Sequence, residues 1–433
     1  MKKSKEFFVT ALAILILAPA LLSILPACGN SSNIFLPKGK PSDATTPSKS
    51  PQNTTNQMDA IILSEGLRGS QPETSEVLPM SPGTVTVYGW WDFEEEDNTT
   101  LRNARRARVE LWDRDLLADW WLATTYTNEN GYYEFPAIDN NDGWLEGTLD
   151  VFVKIFTDDS VVWVSDNSWP TNVVYWGMTS IDYDVSDGWH SMGSWVLVGN
   201  NRGAMGIFDT ILIGYDYASS LGYNHVEVHV RWRMGGISHT EPDGVTIHFM
   251  AGDEWDEDVI LHEYGHSILH SIYGEWIPNA SGNHGWNQHT NQTFAFSEGW
   301  PTFLGVAANF EMGYGDSLYP RDTWYRDHVD QIVDHDLESD PHEPGDNVEG
   351  AIACLLWDIY DSPSDGKDNL GATMTPIWDV FRNYVSNNHH AYTIHEFWDG
   401  WMARGWDVTQ SMWGIYRDHG IEKDVNPPTN PTG

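Results

Sequence analysis

The chain has 433 residues, 40% apolar and with 23 tryptophans, the make-up of a folded protein with room for two or three domains rather than a disordered one. Its 63 acidic against 23 basic residues give a formal charge of -40, which repels phosphate backbones and anionic headgroups and excludes nucleic-acid binding. The two cysteines, Cys28 and Cys354, leave no internal disulfide if Cys28 is used otherwise, and Cys354 then reads as a buried thiol.

Lys2, Lys3 and Lys5 precede an almost wholly apolar run from Phe7 to Leu25, so residues 1–27 read as an export signal. The run is also long enough to span a bilayer, which keeps a retained anchor open. Its ending, Leu25-Pro26-Ala27-Cys28, resembles the lipobox of bacterial lipoproteins, although Pro26 is unusual there. A lipid on Cys28 would be the protein's membrane attachment, and either way the folded part is expected outside the cytoplasm, at the cell envelope or secreted. Residues 28–82 are rich in Ser, Thr, Pro, Asn and Gln and bury too little apolar surface to offset chain entropy, so they read as a tether.

From 83 to 200 the apolar period becomes two, as at Val85 and Val87, Val109 and Leu111, and Val151, Val153 and Ile155. Turn clusters at 128–131 and 139–143 separate these runs, and short strands so spaced argue for a β-sandwich. The run from Thr127 to Phe135 after Ala107-Arg108-Val109-Glu110-Leu111-Trp112-Asp113 resembles transthyretin-like or carboxypeptidase-regulatory-like sandwich repeats. That resemblance implies a fold and is nearly silent on function. Trp120, Trp121 and Trp144 are read as core or edge packing rather than as a polymer-binding surface.

Residues 201–425 read as an α+β domain with a mainly helical C-terminal part, followed by a flexible tail, 426–433. Ile207, Ile211 and Tyr215 mark a helix over 203–220, and strands are expected over 226–232 and 245–250. The second strand is expected to form a sheet edge to which an extended chain could add, with Val245, Ile247 and Phe249 facing the core. Next comes His262-Glu263-Tyr264-Gly265-His266. On a helix the two histidines project from one face a turn apart, so both can hold one tetrahedral zinc, and Glu263 beside them can accept a proton from water there. The acidic residues Asp253, Glu254, Asp256, Glu257 and Asp258 suit the helix N-terminus, and Gly274 is a plausible stop.

A catalytic zinc takes three protein ligands and leaves a position for water. The metzincin pattern fails because Leu269 and Ile272 stand where it needs Gly and His. His270 is two turns from His262, and Glu275 points away. His284 and His289, in a polar loop, remain open. Glu298 is the preferred third ligand, because it lies in the apolar run Phe294-Ala295-Phe296-Ser297-Glu298-Gly299-Trp300, where a carboxylate is costly unless paired or metal-bound.

The pair HEYGH and Ser-Glu-Gly-Trp resembles gluzincin metallopeptidases, the thermolysin-like group, over about residues 203–410. The resemblance implies a zincin-like catalytic domain in which His262, His266 and Glu298 ligate zinc and Glu263 is the general base. It also implies an oxyanion-steadying His or Tyr near the helix that begins at 348, for which His342 is the first candidate and His335 the second. Two departures stand out. Thr302 replaces the Asp that many gluzincins use to orient a ligand histidine, and Pro301 would kink a continuing helix. The acidic run 361–369 is a candidate for calcium as a further cofactor, against a plain acidic turn. The reading is an extracytoplasmic zinc metalloendopeptidase acting on protein or peptide substrates. The alternative is a zincin-fold surface binding protein without catalysis.

Overall fold

The computed structural model describes residues 83–423, apart from 117, 143–146, 169–171, 225–226, 313–323, 328–332, 339–341, 362–369 and 407–409, together with Ala60–Ile62. The export signal, Cys28, nearly all of the tether, the run 362–369 and the C-terminal tail lie outside the described residues. Within the expected tether, Ala60–Ile62 forms a strand antiparallel to Gly188–Leu197.

The first half is β-rich. Gly188–Leu197 pairs in parallel with the long strand Thr84–Glu94, which also carries Leu101–Asn103, Tyr132–Glu134 and Ile138–Asp139. A second sheet runs in the order Trp176–Met178, Val151–Phe156, Arg108–Arg114, Asp119–Tyr126. In Arg108–Arg114 buried residues alternate with half-buried ones along the whole strand, as the period-two pattern requires. Val85, Val87, Val109, Leu111, Val151, Val153 and Ile155 are all completely buried in one hydrophobic cluster. Trp120 and Trp121, expected to pack, are instead 61% and 56% exposed. They lie on Asp119–Tyr126, a sheet edge with a neighbour on one side only.

A mixed α/β part with seven α-helices among the described residues follows. The first helix, α1 (Gly199–Ser220), starts four residues earlier than the apolar period suggests. A further sheet runs His239–Thr240, Thr246–Met250, Val228–Met234, Val162–Asp166, so a strand from the β-rich half joins three from the second half. Thr246–Met250 is therefore interior, and the edge is the two-residue strand His239–Thr240. The expected inward faces of Ile247 and Phe249 are fully buried, but Thr246 and His248 on the other face are buried as well.

The helices that matter most are α2 (Glu257–Tyr273), α3 (Gln292–Met312) and α4 (Glu349–Tyr360). Helix α2 begins where Asp256 caps the amide of Val259 and stops at Gly274, whose φ of 72° is the left-handed conformation of a C-cap glycine. Helix α3 runs on through Pro301. Cys354 is buried in α4. The outer helices are α5 (Met374–Asn383), α6 (Ile394–Arg404) and α7 (Gln410–Asp418). Among the described residues no helix is long and apolar enough to cross a membrane.

Arg102 and Arg105, beside the strand Leu101–Asn103, tie the β-rich half to the helices. Arg105 Nε lies 2.5 Å and Arg102 Nη2 2.7 Å from the two carboxylate oxygens of Asp209 in α1, and Arg102 also reaches Glu257 at the start of α2 at 3.4 Å.

Candidate metal centre

Two glycines bring the three central helices together. A Cβ on Gly265 of α2 would sit 3.0 Å from both Cα and Cβ of Pro301, so its absence lets α3 lie directly against the HEYGH turn. A Cβ on Gly299 of α3 would meet Ile352 Cβ at 2.7 Å and the Glu349 carbonyl at 2.9 Å, so α4 approaches as closely from the other side.

The result is convergence of the three expected ligands. His266 Nε2 lies 3.1 Å from His262 Nε2 and 3.0 Å from a carboxylate oxygen of Glu298, and His262 Nε2 lies 3.4 Å from the same oxygen. Ligand atoms about 2.0–2.1 Å from a tetrahedral zinc would stand about 3.3 Å apart, so the donor set and its spacing fit that ion. All three residues are buried. Burial alone would raise the Glu298 carboxyl, but the neighbouring His266 and His262 outweigh it and hold the group well below the usual carboxylate range. Burial alone would lower His266, and the charge and hydrogen bond of Glu298 overcome it and raise the imidazole.

The His262 ring is oriented from behind. Its Nδ1 lies 3.0 Å from the Thr302 hydroxyl, which itself reaches the Glu298 carbonyl at 3.1 Å and Glu349 Oε1 at 3.4 Å. A proton on Nδ1 shared with Thr302 leaves Nε2 with its lone pair toward the centre, the tautomer a metal requires. Thr302, four residues after Glu298, thus occupies the orienting position, and the carboxylate behind it comes from a different helix. Pro301 has no N–H, so the Ser297 carbonyl lacks its usual helical partner while the helix continues.

Glu263 is also buried, and the Thr240 hydroxyl donates to its side chain at 3.0 Å and lies 2.7 Å from its main-chain oxygen. His284 Nδ1 is 2.7 Å from Glu349 Oε2, and its Nε2 is 3.7 Å from Glu298. Burial would lower this histidine, but the bond to Glu349 and the charges of Glu298 and Glu349 raise it to about 10.

The other candidates are placed elsewhere. His342 Nε2 lies 2.7 Å from His419 Nδ1, and His419 in turn reaches Asp358 at 2.8 Å. No described contact joins His342 to the three converging residues, and its place in this chain leaves the loop histidine half-buried. His335 stacks on Trp286 with ring centroids 4.2 Å apart. His289 pairs with Asn347 at 3.0 Å, His270 packs beside Trp276, and Glu275 bonds the Tyr392 hydroxyl. The sequence reading missed Thr240, Glu349 and the part played by Thr302. Glu349 had a signal, being a carboxylate in the first turn of a largely apolar helix; Thr240 had none.

Residues 223–414 match the family model described as the Mycolysin C-terminal domain. The match relates this part of the chain to metallopeptidases. No curated protein matches the sequence. Among solved structures, a 9R-lipoxygenase from Cyanothece aligns at 14% identity over 35% of this chain and 25% of its own, with a TM-score of 0.19.

Proposed function

We propose that the protein is an extracytoplasmic zinc metalloendopeptidase of gluzincin type, in which His262, His266 and Glu298 hold the metal. The observation that carries this reading is the convergence of two imidazoles and one buried carboxylate beside the carboxylate of Glu263. The similarity of residues 223–414 to the mycolysin domain supports it. A bound zinc would supply Lewis acidity, acidifying a water to a pKa of about 7 and polarising the scissile carbonyl.

The remaining steps belong to side chains of this protein. Glu263, fixed by Thr240, accepts the proton of the attacking water and passes it to the leaving amine. His284, braced by Glu349, is better placed than His342 to donate a hydrogen bond to the developing oxyanion. Helix α3 supplies Glu298, and with it Thr302 keeps the ligand rings aligned. In the same reading the helical part is a zincin-like catalytic domain, and the β-rich half is a transthyretin-like sandwich that spaces the enzyme from a lipid on Cys28 or docks its protein substrate.

The test measures zinc content and cleavage of a peptide library by the wild type, by chelated protein and by Glu263→Gln. The expected result is one zinc at this centre and hydrolysis abolished by the chelator. In Glu263→Gln the metal is retained, while hydrolysis falls by about 10²–10⁴-fold. Undiminished cleavage by that variant would remove the assignment, and metal binding with no cleavage by any form would favour a non-catalytic binding protein.

A further inference from the structure

A second group of metal-ligating side chains sits on the outer edge of the sheet that precedes α2. His239 and His248 are direct cross-strand partners, so their side chains leave the same face, and Glu241, two residues after His239, leaves it too. The ladder extends to Glu241, whose amide donates to the Thr246 carbonyl at 2.8 Å. Accordingly the two imidazoles stack with centroids 4.8 Å apart, and Glu241 Oε1 lies 3.0 Å from His248 Nε2 and 3.6 Å from His239 Nε2. These separations bracket the spacing of about 3.3 Å expected between ligands of a tetrahedral zinc.

Two observations separate this trio from a surface ion pair. His239 Nδ1 lies 2.8 Å from the Ile237 carbonyl, so that nitrogen carries the proton and Nε2, 3.6 Å from Glu241 Oε1, keeps its lone pair. His248 is 97% buried, and among the described residues neither of its ring nitrogens makes a well-directed hydrogen bond, although Nε2 lies 3.0 Å from a Glu241 oxygen. Coordination would give this buried imidazole a properly directed partner. Arg231, its partner on Val228–Met234, opposes a cation, and Glu241 and Asp243 oppose Arg231.

We infer that His239, Glu241 and His248 form a second divalent-cation site of the zinc class, separate from the His262, His266 and Glu298 centre. Its place in the fold gives it a role. Thr240 lies between two of the ligands and, by strand alternation, faces the opposite way, where its hydroxyl holds Glu263. A metal on one face would therefore pin the short strand that positions Glu263 on the other. The site itself is independent of the peptidase reading; only this positioning role rests on it.

The test is zinc and cobalt stoichiometry of the folded chain after equilibration with Zn2+ or Co2+ alone, by elemental analysis and visible absorption. The wild type is expected to hold two ions, and His239→Ala and His262→Ala one each. His239 is half exposed, so its replacement leaves the fold intact, as circular dichroism would check. In the His262→Ala background the visible cobalt band is expected to persist and to vanish when His239→Ala is added. Zinc content unchanged by His239→Ala, at either one or two ions per chain, would overturn the proposal. A single ion lost with His239→Ala and kept with His262→Ala would instead uphold this site and remove the first.

Discussion

Strand Arg108–Arg114 and helix α2 show how differently the two halves of the molecule are specified. Along the strand every second residue is buried, and the half-buried side of the pattern is free to carry charge. Along α2 every residue from Glu257 to Leu269 is buried, including Glu257, Asp258, His262, Glu263 and His266. A helix covered on all sides has no solvated face, so each polar group on it must find a partner or a metal. The β-rich half is thus organised by a local period, whereas the site is organised by what neighbouring helices bring to it.

The largest expected effect comes from cutting the link between the halves. Arg105→Ala would leave the buried Asp209 paired with Arg102 and Asp216 with Arg106, so what is lost is charged hydrogen bonding, costing about 1.5–3 kcal/mol, read by denaturant unfolding. An unchanged midpoint would show that the two halves do not share their stability through this network. Next, Gly299→Ala would press a methyl on Ile352 and the Glu349 carbonyl, costing about 1–3 kcal/mol and weakening zinc affinity together with stability. Loss of stability without loss of affinity would mean that α4 does not set the geometry of the centre.

Thr302→Val removes the hydroxyl behind His262 and is expected to lower zinc affinity about 10–100-fold in competition with a chelator, with little change in folding. The smallest effect concerns the β-rich half. Burial first, then the charges of Asp142 and Asp115, raise Asp113 from 3.8 to about 6, against the amide of Asp150, which lowers it. The folded state therefore holds this proton more tightly than the unfolded chain. Its contribution is fully present below pH 3.8 and is lost as pH rises to about 6. Asp113→Asn should flatten the fall of stability across that window, measured by melting at a series of pH values.

Much was legible from the chain alone. Valines and isoleucines at every second position made the strands of the β-rich half, since a pleated strand buries one face. The spacing of His262 and His266 put both rings on one side of α2, the acidic residues between 253 and 258 marked the region of its start and Gly274 its end, because end preferences and helical period are local properties. Even Glu298 could be chosen, since a carboxylate in an apolar run needs a reason to be there.

What only the tertiary structure decided was the company these residues keep. That Thr302 and Glu349 stand behind His262, that Thr240 holds Glu263, and that His239 meets His248 depends on register and on helix contacts between segments far apart in the chain. The strand Val162–Asp166 joining the sheet of the second half is another such choice, as is the exposure of Trp120 and Trp121 on an edge. Periodicity says which face of an element is buried; it does not say against what, because that is settled by the pairing and close packing of the whole chain.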